Sequence, residues 1–253
     1  MDPDGLGWET YDGSRVALRT SEVHLWRIDL DQERRNLEAM ERNLIGTEIE
    51  KSRRFRFGKD REQFILSHGI LREVLGTYLK VEPKDVPIAS DSRGKPEIIG
   101  GSKKAELRFN LSHSEGMTLI ATAMNRDLGV DVEYAEPDFP VLEVAQHFFT
   151  GREAELVASS KGTERSEAFF RIWTRREAYM KATGAGLGSP SASVPFFGGG
   201  TSSETVHNFK NGREWTCFDI KLERNYFAAL VVEGRDLGLR MFKWRLVRPR
   251  YRE

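Results

Sequence analysis

The sequence lacks several features that would assign it to a specialised class of protein. It has a single cysteine, Cys217, which excludes an internal disulfide and suits a reducing compartment. Because Cys217 lies in the alternating stretch EWTCFDIKL, we interpret it as a small core residue of a strand. The 39 basic and 39 acidic residues leave no net charge, which argues against a general nucleic-acid binder.

Long apolar runs are also missing. The longest runs, such as YFAALVV, have the length of a strand and are too short to span a bilayer. The first residues, MDPDGLGWETYDG, have neither the basic nor the apolar region of a secretory signal. We therefore expect a cytoplasmic protein that binds neither membrane nor nucleic acid.

The order of predicted elements divides the chain into two similar halves. In the first half, the strand SEVHLWRIDL precedes a long helix, which apolar residues at helical spacing predict from about Lys59 to Leu79. In the second half, the helix TERSEAFFRIWTRREAYMKATG ends at Gly184 and precedes two strands, EWTCFDIKL and YFAALVVE. We place the seam near Met124–Gly129 and predict halves of residues 1–126 and 127–253.

Two carboxylates in one predicted strand point to a cation site. The stretch LGVDVEY has the composition of a buried strand but carries Asp131 and Glu133. Alternate residues of a strand share a face, so both carboxylates project together. Like charges this close resist joint ionisation unless a cation lies between them, and a hard ion such as Mg²⁺ takes oxygen ligands. A solvent-facing acidic strand with salt-bridge partners is the alternative that this motif leaves open.

The helix RIWTRREAYMKATG carries a second group of candidate residues. Glu177 and Lys181 are four residues apart and share a helix face, and Trp173 lies one turn before them on the same side. A cation and a carboxylate placed in this way could act on a charged substrate. An ordinary surface pair beside a core tryptophan explains the same spacing.

Polar and basic clusters next to strands form a third group. In FNLSHSEG, residues Asn110, Ser112 and His113 are donors that can bind phosphate, although a capped turn explains them equally well. The turn SRGKPEI adds Arg93 and Lys95, and EKSRRFRFGKDR adds a basic run. Each of these clusters alone is also typical of a solvated face.

Four motifs in a fixed order resemble those of 4′-phosphopantetheinyl transferases: GKP, FNLSHS, LGVDVE and FFRIWTRREAYMKATGAGLG. The likeness runs from about Lys51 to about Leu187 and is closer to the larger, two-halved, surfactin-synthetase-activating type. It implies transfer of the 4′-phosphopantetheine arm of coenzyme A to a serine of an acyl or peptidyl carrier protein, with Mg²⁺ and release of 3′,5′-ADP. It also implies a monomer with an α+β pseudo-twofold fold. Each half would be a long helix packed on a small, mainly antiparallel sheet, with the active site in the cleft between them.

The resemblance also assigns roles to individual residues. The implied metal ligands are Asp131, Glu133 and Glu177. The implied catalytic residues are Glu177, Lys181 and Asp131, with Glu177 serving as ligand, base or both. The residues implied to bind the phosphates and the adenine side of the coenzyme are Lys51, Arg93, Lys95, Asn110, Ser112, His113 and Lys181. Arg176 departs from the lysine usual before the glutamate. Because arginine is bulkier and forked, any contact there to the pyrophosphate must be re-formed.

Two other functions remain open from the sequence. One is a Mg²⁺-dependent phosphohydrolase of coenzyme A or a nucleotide, and the other is a non-catalytic module that binds coenzyme A or a carrier domain. The intact acidic and lysine positions argue against the second. Fatty-acid, polyketide, peptide-synthetase and aminoadipate-type carriers are all possible acceptors. The basic end, RMFKWRLVRPRYRE, either docks an acidic carrier helix or forms a final strand with a solvated tail.

Overall fold

The chain has a mixed α+β fold, as predicted. The computed structural model describes residues 7–14, 16–91, 94–100, 106–185, 204–208, 212–223 and 225–246. Its strands are β1 (Trp8–Thr10), β2 (Glu22–Asp29), β3 (Ile88–Ser90), β4 (Pro96–Ile98), β5 (Leu107–Ser114), β6 (Met117–Met124), β7 (Leu128–Tyr134), β8 (Glu204–Asn208), β9 (Arg213–Ile220), β10 (Tyr226–Glu233) and β11 (Gly238–Lys243). Its α-helices are α1 (Leu30–Glu33), α2 (Leu37–Glu41), α3 (Gly46–Arg53), α4 (Gly58–Leu79), α5 (Val141–Phe148), α6 (Gly151–Ser159) and α7 (Thr163–Thr183).

Two sheets carry most of the strands. The first has the order β1-β11-β2-β6-β5 and the second the order β7-β10-β9-β8, while β3 and β4 form a separate pair. All pairs of the second sheet are antiparallel, as predicted. In the first sheet β2 and β5 are both antiparallel to β6, while β11 is parallel to both β1 and β2, so this sheet is mixed.

The strand β11 also crosses the predicted division of the chain. It belongs in sequence to the segment 127–253, yet it lies between β1 and β2 in the sheet of the segment 1–126. The alternating pattern of a strand indicates that it pairs but does not indicate with which partner. The division at residue 126 therefore separates most of the two sheets but not all of the first one.

The long helix α4 forms the core of the first half. Its buried face includes Phe64, Ile70 and Leu75, which belong to one cluster with Trp26 of β2 and Ile120 of β6. The observed helix starts one residue before the predicted one. Its apolar residues are spaced so that a single face covers the sheet, and this burial stabilises the helix more than propensity does.

The second long helix, α7, packs unusually close to the second sheet. Gly184 ends it in the left-handed conformation, as the sequence predicts. Gly129 of β7 makes the close approach possible: a Cβ there would overlap the carbonyl oxygen of Ala178 and lie 2.5 Å from the nitrogen of Ala182. Cys217 is buried on β9 among the residues that face this helix, which confirms its interpretation as a core residue. Among the described residues, no helix is long and apolar enough to cross a membrane.

Candidate active site

Side chains of β5 join the edges of the two sheets. The strands β5 and β7 are the neighbouring edges, and alternate polar side chains of β5 accept hydrogen bonds from backbone N–H groups of β7. These bonds run from Val130 to Asn110 Oδ1 (2.9 Å), from Val132 to Ser112 Oγ (3.4 Å) and from Tyr134 to Ser114 Oγ (3.0 Å). A sheet edge carries unpaired backbone donors, and these side chains satisfy them. The alternating N-x-S-x-S pattern therefore has a structural role at the junction.

The carboxylate of Asp131 lies at this junction and is paired with a lysine. Asp131 is only 3% exposed. Its Oδ1 accepts hydrogen bonds from Lys181 Nζ at 2.7 Å and from Ser112 Oγ at 3.1 Å. Its Oδ2 is buried without a hydrogen-bond partner. The charge that accompanies the buried Asp131 in this structure is thus the ammonium of Lys181, and one carboxylate oxygen is left to bind something else.

Glu133 and Glu177 share the electrostatic field of Asp131. Burial, and then the charge of Asp131, raise the pKa of Glu133 above its ordinary value. The same two causes raise the pKa of Glu177 to about 7, against the opposing effect of Lys181. The structure therefore brings together the four residues predicted for metal binding and catalysis: Asp131, Glu133, Glu177 and Lys181. Their carboxylates repel each other because Lys181 supplies less positive charge than they carry.

The carboxylates of Asp131, Glu133 and Glu177 provide the type of donor atom that a hard divalent cation binds. Within the described ranges, no three His, Cys, Asp or Glu side chains are already grouped as a metal site. The buried and unpartnered Oδ2 of Asp131 nevertheless needs a positive partner, and the neighbouring carboxylates supply the oxygen ligands that Mg²⁺ prefers. A bound cation would also relieve the repulsion that raises the pKa of Glu133 and of Glu177.

Two further predicted residues, Lys51 of α3 and His113 of β5, both lie against α4. The Nδ1 of His113 accepts a hydrogen bond from Gln63 Nε2 at 2.9 Å, and Lys51 Nζ lies 5.2 Å from the ring centroid of Phe64. The sequence did not single out His68, whose ring lies 4.0 Å from that of Phe64. Burial, and then the charges of Lys51 and His113, lower the pKa of His68 to about 3. The signal that could have found His68 is its position one turn after Phe64 on α4.

The structure places the GKP lysine against backbone carbonyl groups. The ammonium of Lys95 donates to the carbonyl oxygen of Lys181 at 2.6 Å and to that of Leu128 at 3.3 Å. Lys95 therefore binds the C-terminal end of α7 and the first residue of β7, where a cation interacts favourably with the helix dipole. Arg93 lies outside the described residues.

Arg176 points toward the corner between α5 and α6. Its Nη1 lies 2.9 Å from Glu153 Oε2, and its guanidinium carbon lies 5.7 Å from the ring centroid of Phe149. Glu153 also accepts hydrogen bonds from the backbone N–H and hydroxyl of Thr150, in the capping box at the start of α6. Arginine at this position thus anchors α7 to the start of α6, directly beside Glu177.

Comparisons with known proteins match both halves of the chain to one family. Residues 127–231 match the family described as "4'-phosphopantetheinyl transferase superfamily", and residues 31–125 match "4'-phosphopantetheinyl transferase, N-terminal". The chain is 36% identical to the 4′-phosphopantetheinyl transferase HetI of a Nostoc species over 219 residues, which cover 87% of this chain and 91% of HetI. It is 30% identical to the 4′-phosphopantetheinyl transferase Sfp of Bacillus subtilis, over 56% of this chain and 60% of Sfp. The chain therefore belongs to the 4′-phosphopantetheinyl transferase superfamily and is an enzyme of its larger, Sfp-like type.

Proposed function

We propose that this enzyme transfers the 4′-phosphopantetheine arm of coenzyme A to a serine hydroxyl of an acyl or peptidyl carrier protein. The observation that carries the proposal is the meeting of Asp131, Glu133, Glu177 and Lys181 beside the β5–β7 junction, in a chain of this superfamily. Three acidic groups and one cation suit a reaction in which charge moves between phosphates. The new bond joins the serine oxygen to phosphorus, and the broken bond releases 3′,5′-ADP.

Asp131, Glu133 and Glu177 would hold Mg²⁺, as their donor type and mutual repulsion favour. When bound, the ion would supply neutralising charge to the pyrophosphate of the coenzyme. The free Oδ2 of Asp131 supports this assignment, since a buried carboxylate oxygen is rarely left without a partner.

Glu177 would accept the proton of the attacking serine. A positioned carboxylate can serve as a general base, and Glu177 lies on the same helix as Lys181, beside Asp131 and Glu133. Lys181, one turn later on the same helix, would stabilise the charge that develops on the departing phosphate. In this arrangement Glu177 accepts the proton of the serine, and Lys181 stabilises the leaving group.

The group of Lys51 and His113 beside α4 would hold the nucleotide end of coenzyme A. Lys51 and His113 both act electrostatically on His68, and they offer a cation and an imidazole, which both suit phosphate oxygens. We include Arg93, Lys95, Asn110 and Ser112 in the proposed coenzyme site. Lys95, Asn110 and Ser112 contact β7 and α7. These contacts favour an indirect effect on coenzyme binding, in which the three residues hold Lys181 in position.

We also infer a pseudo-twofold relation between the two halves. In the first half β2 pairs with β6 and β6 with β5, and in the second half β7 pairs with β10 and β10 with β9. In both cases an early strand (β2 or β7) pairs with a later strand (β6 or β10), and that later strand also pairs with the strand that precedes it in sequence (β5 or β9). A helix of about twenty residues follows the first strand each time: α4 has 22 residues and α7 has 21. The matching order supports two related units within one monomer, with the candidate active site where their edges meet.

A transfer assay with fluorescent coenzyme A, Mg²⁺ and a panel of carrier proteins tests the proposal. We expect label on a carrier serine and loss of labelling in Asp131→Ala, while Glu167→Ala, an exposed change on α7, retains it. Release of free phosphopantetheine without any acceptor would instead identify a hydrolase. Near-normal labelling by a folded Asp131→Ala protein would contradict the metal assignment.

A further inference from the structure

We propose that Lys181 is an internal counter-ion that competes with the divalent metal for Asp131 until coenzyme A draws it away. The inference rests on the proposed metal and coenzyme roles of the same site. It goes beyond them by making Lys181 the residue that couples the binding of the metal to the binding of the coenzyme.

The first step is the state of the lysine. An ammonium group has three N–H donors and no acceptor. In the structure Lys181 Nζ has three oxygen partners: Asp131 Oδ1 at 2.7 Å, Ser112 Oγ at 2.9 Å and the carbonyl oxygen of Val130 at 3.2 Å. All three donors are used within the protein. Lys181 must therefore give up at least one of these bonds before it can contact a phosphate oxygen.

The second step is the state of the carboxylate. Both partners of Asp131 bind Oδ1, and Oδ2 has none. An ion that entered at Oδ2 would lie next to the ammonium across one carboxyl group, and the two positive charges would repel each other. Because Asp131 is buried, water screens this repulsion poorly. The metal-free enzyme should consequently bind a divalent ion more weakly than its acidic residues alone would allow.

The third step is the exchange. The side chain of Lys181 is 30% exposed, so a ligand can approach it from solvent. A pyrophosphate group placed beside it would give the ammonium a doubly charged partner. Asp131 would then lose its contact with the ammonium and could bind the metal. Coenzyme A and metal would then strengthen each other's binding, as linkage requires. Metal would be held firmly only when the substrate phosphates are present.

The test measures Mn²⁺ binding by electron paramagnetic resonance at pH 8, without coenzyme or carrier. We expect Lys181→Met to bind Mn²⁺ at least about tenfold more tightly than the wild type, which corresponds to about 1.4 kcal/mol. Lys181→Arg, which keeps the positive charge, should stay close to the wild type. Lys181→Gln gives a second neutral variant in case the methionine protein does not fold. Asp131→Asn should bind Mn²⁺ more weakly than any of these proteins.

Adding coenzyme A provides the second measurement. The gain in Mn²⁺ affinity on adding it should be larger for the wild type than for Lys181→Met, since only the wild type has a competing ammonium to remove. Equal or weaker Mn²⁺ binding by the folded neutral variants, without coenzyme, would overturn the inference. The measurement involves no transfer, so tighter binding by the neutral variants together with a wild type that labels no carrier would sustain the inference and reject the proposed function.

Discussion

Glu177→Gln should make the metal-free protein more stable at alkaline pH and leave its stability almost unchanged at acid pH. Burial, followed by the charge of Asp131, raises the pKa of Glu177 from 4.5 in an unfolded chain to about 7. The folded protein binds this proton more tightly, so the stability that it contributes is present below pH 4.5 and is lost as the pH rises through 7. A shift of that size corresponds to roughly 3 kcal/mol. Glutamine is neutral at every pH and avoids this loss.

Urea unfolding in the presence of a chelator, at several values between pH 5 and pH 8, measures the effect. We expect the difference in unfolding free energy between Glu177→Gln and wild type to grow with pH toward roughly 3 kcal/mol. Glu167→Gln changes an exposed glutamate of the same helix and should show no such trend. Mg²⁺ at pH 8 should stabilise the wild type and not the variant. A difference that does not vary with pH would refute the reasoning.

Three further changes test other parts of the structure. Gly129→Ala should lower the free energy of unfolding by roughly 1–3 kcal/mol in urea, because the added methyl group meets the backbone of α7; unchanged stability would exclude the close approach. His24→Gln should flatten the fall in stability from pH 6.5 to 4, because burial lowers the pKa of His24 to about 4 and the unfolded chain binds the proton first. Equal slopes for both proteins in that range would count against it. Glu115→Asn should raise the urea midpoint, because residue 115 has φ 38° in a tight hairpin turn that favours asparagine; a lower midpoint would mean that the surface pair with Lys59 matters more.

Local signals in the sequence predicted the elements that position the site. The spacing of apolar residues gave α4 to within a residue, and Gly184 marked the end of α7. The rule that alternate strand residues share a face placed Asp131 and Glu133 together, and both lie in one electrostatic environment. These features depend on residues close in sequence, where periodicity and capping act directly.

Contacts between distant residues could not be predicted in the same way. The pairing of Lys181 with Asp131 joins positions 50 apart in sequence, and that of Arg176 with Glu153 joins positions 23 apart. Each depends on how helices and strands pack, which periodicity does not specify. The polar residues of FNLSHS showed the same difficulty: their spacing fits both phosphate binding and a sheet junction, and only the neighbouring strand reveals the junction.

The position of β11 has a consequence for how the protein is made. This strand completes the sheet that begins with β1 and β2, yet it lies some two hundred residues later in the chain. At the usual rate of synthesis, roughly 10–50 s separate β1 from β11 on the ribosome. Once β6 has been made, β2 can pair with it but keeps an open edge on its other side, which nascent chains of the same kind could occupy. Maturation of the first sheet must therefore wait until β11 has been synthesised, and chaperones that shield strand edges should increase the yield of active enzyme.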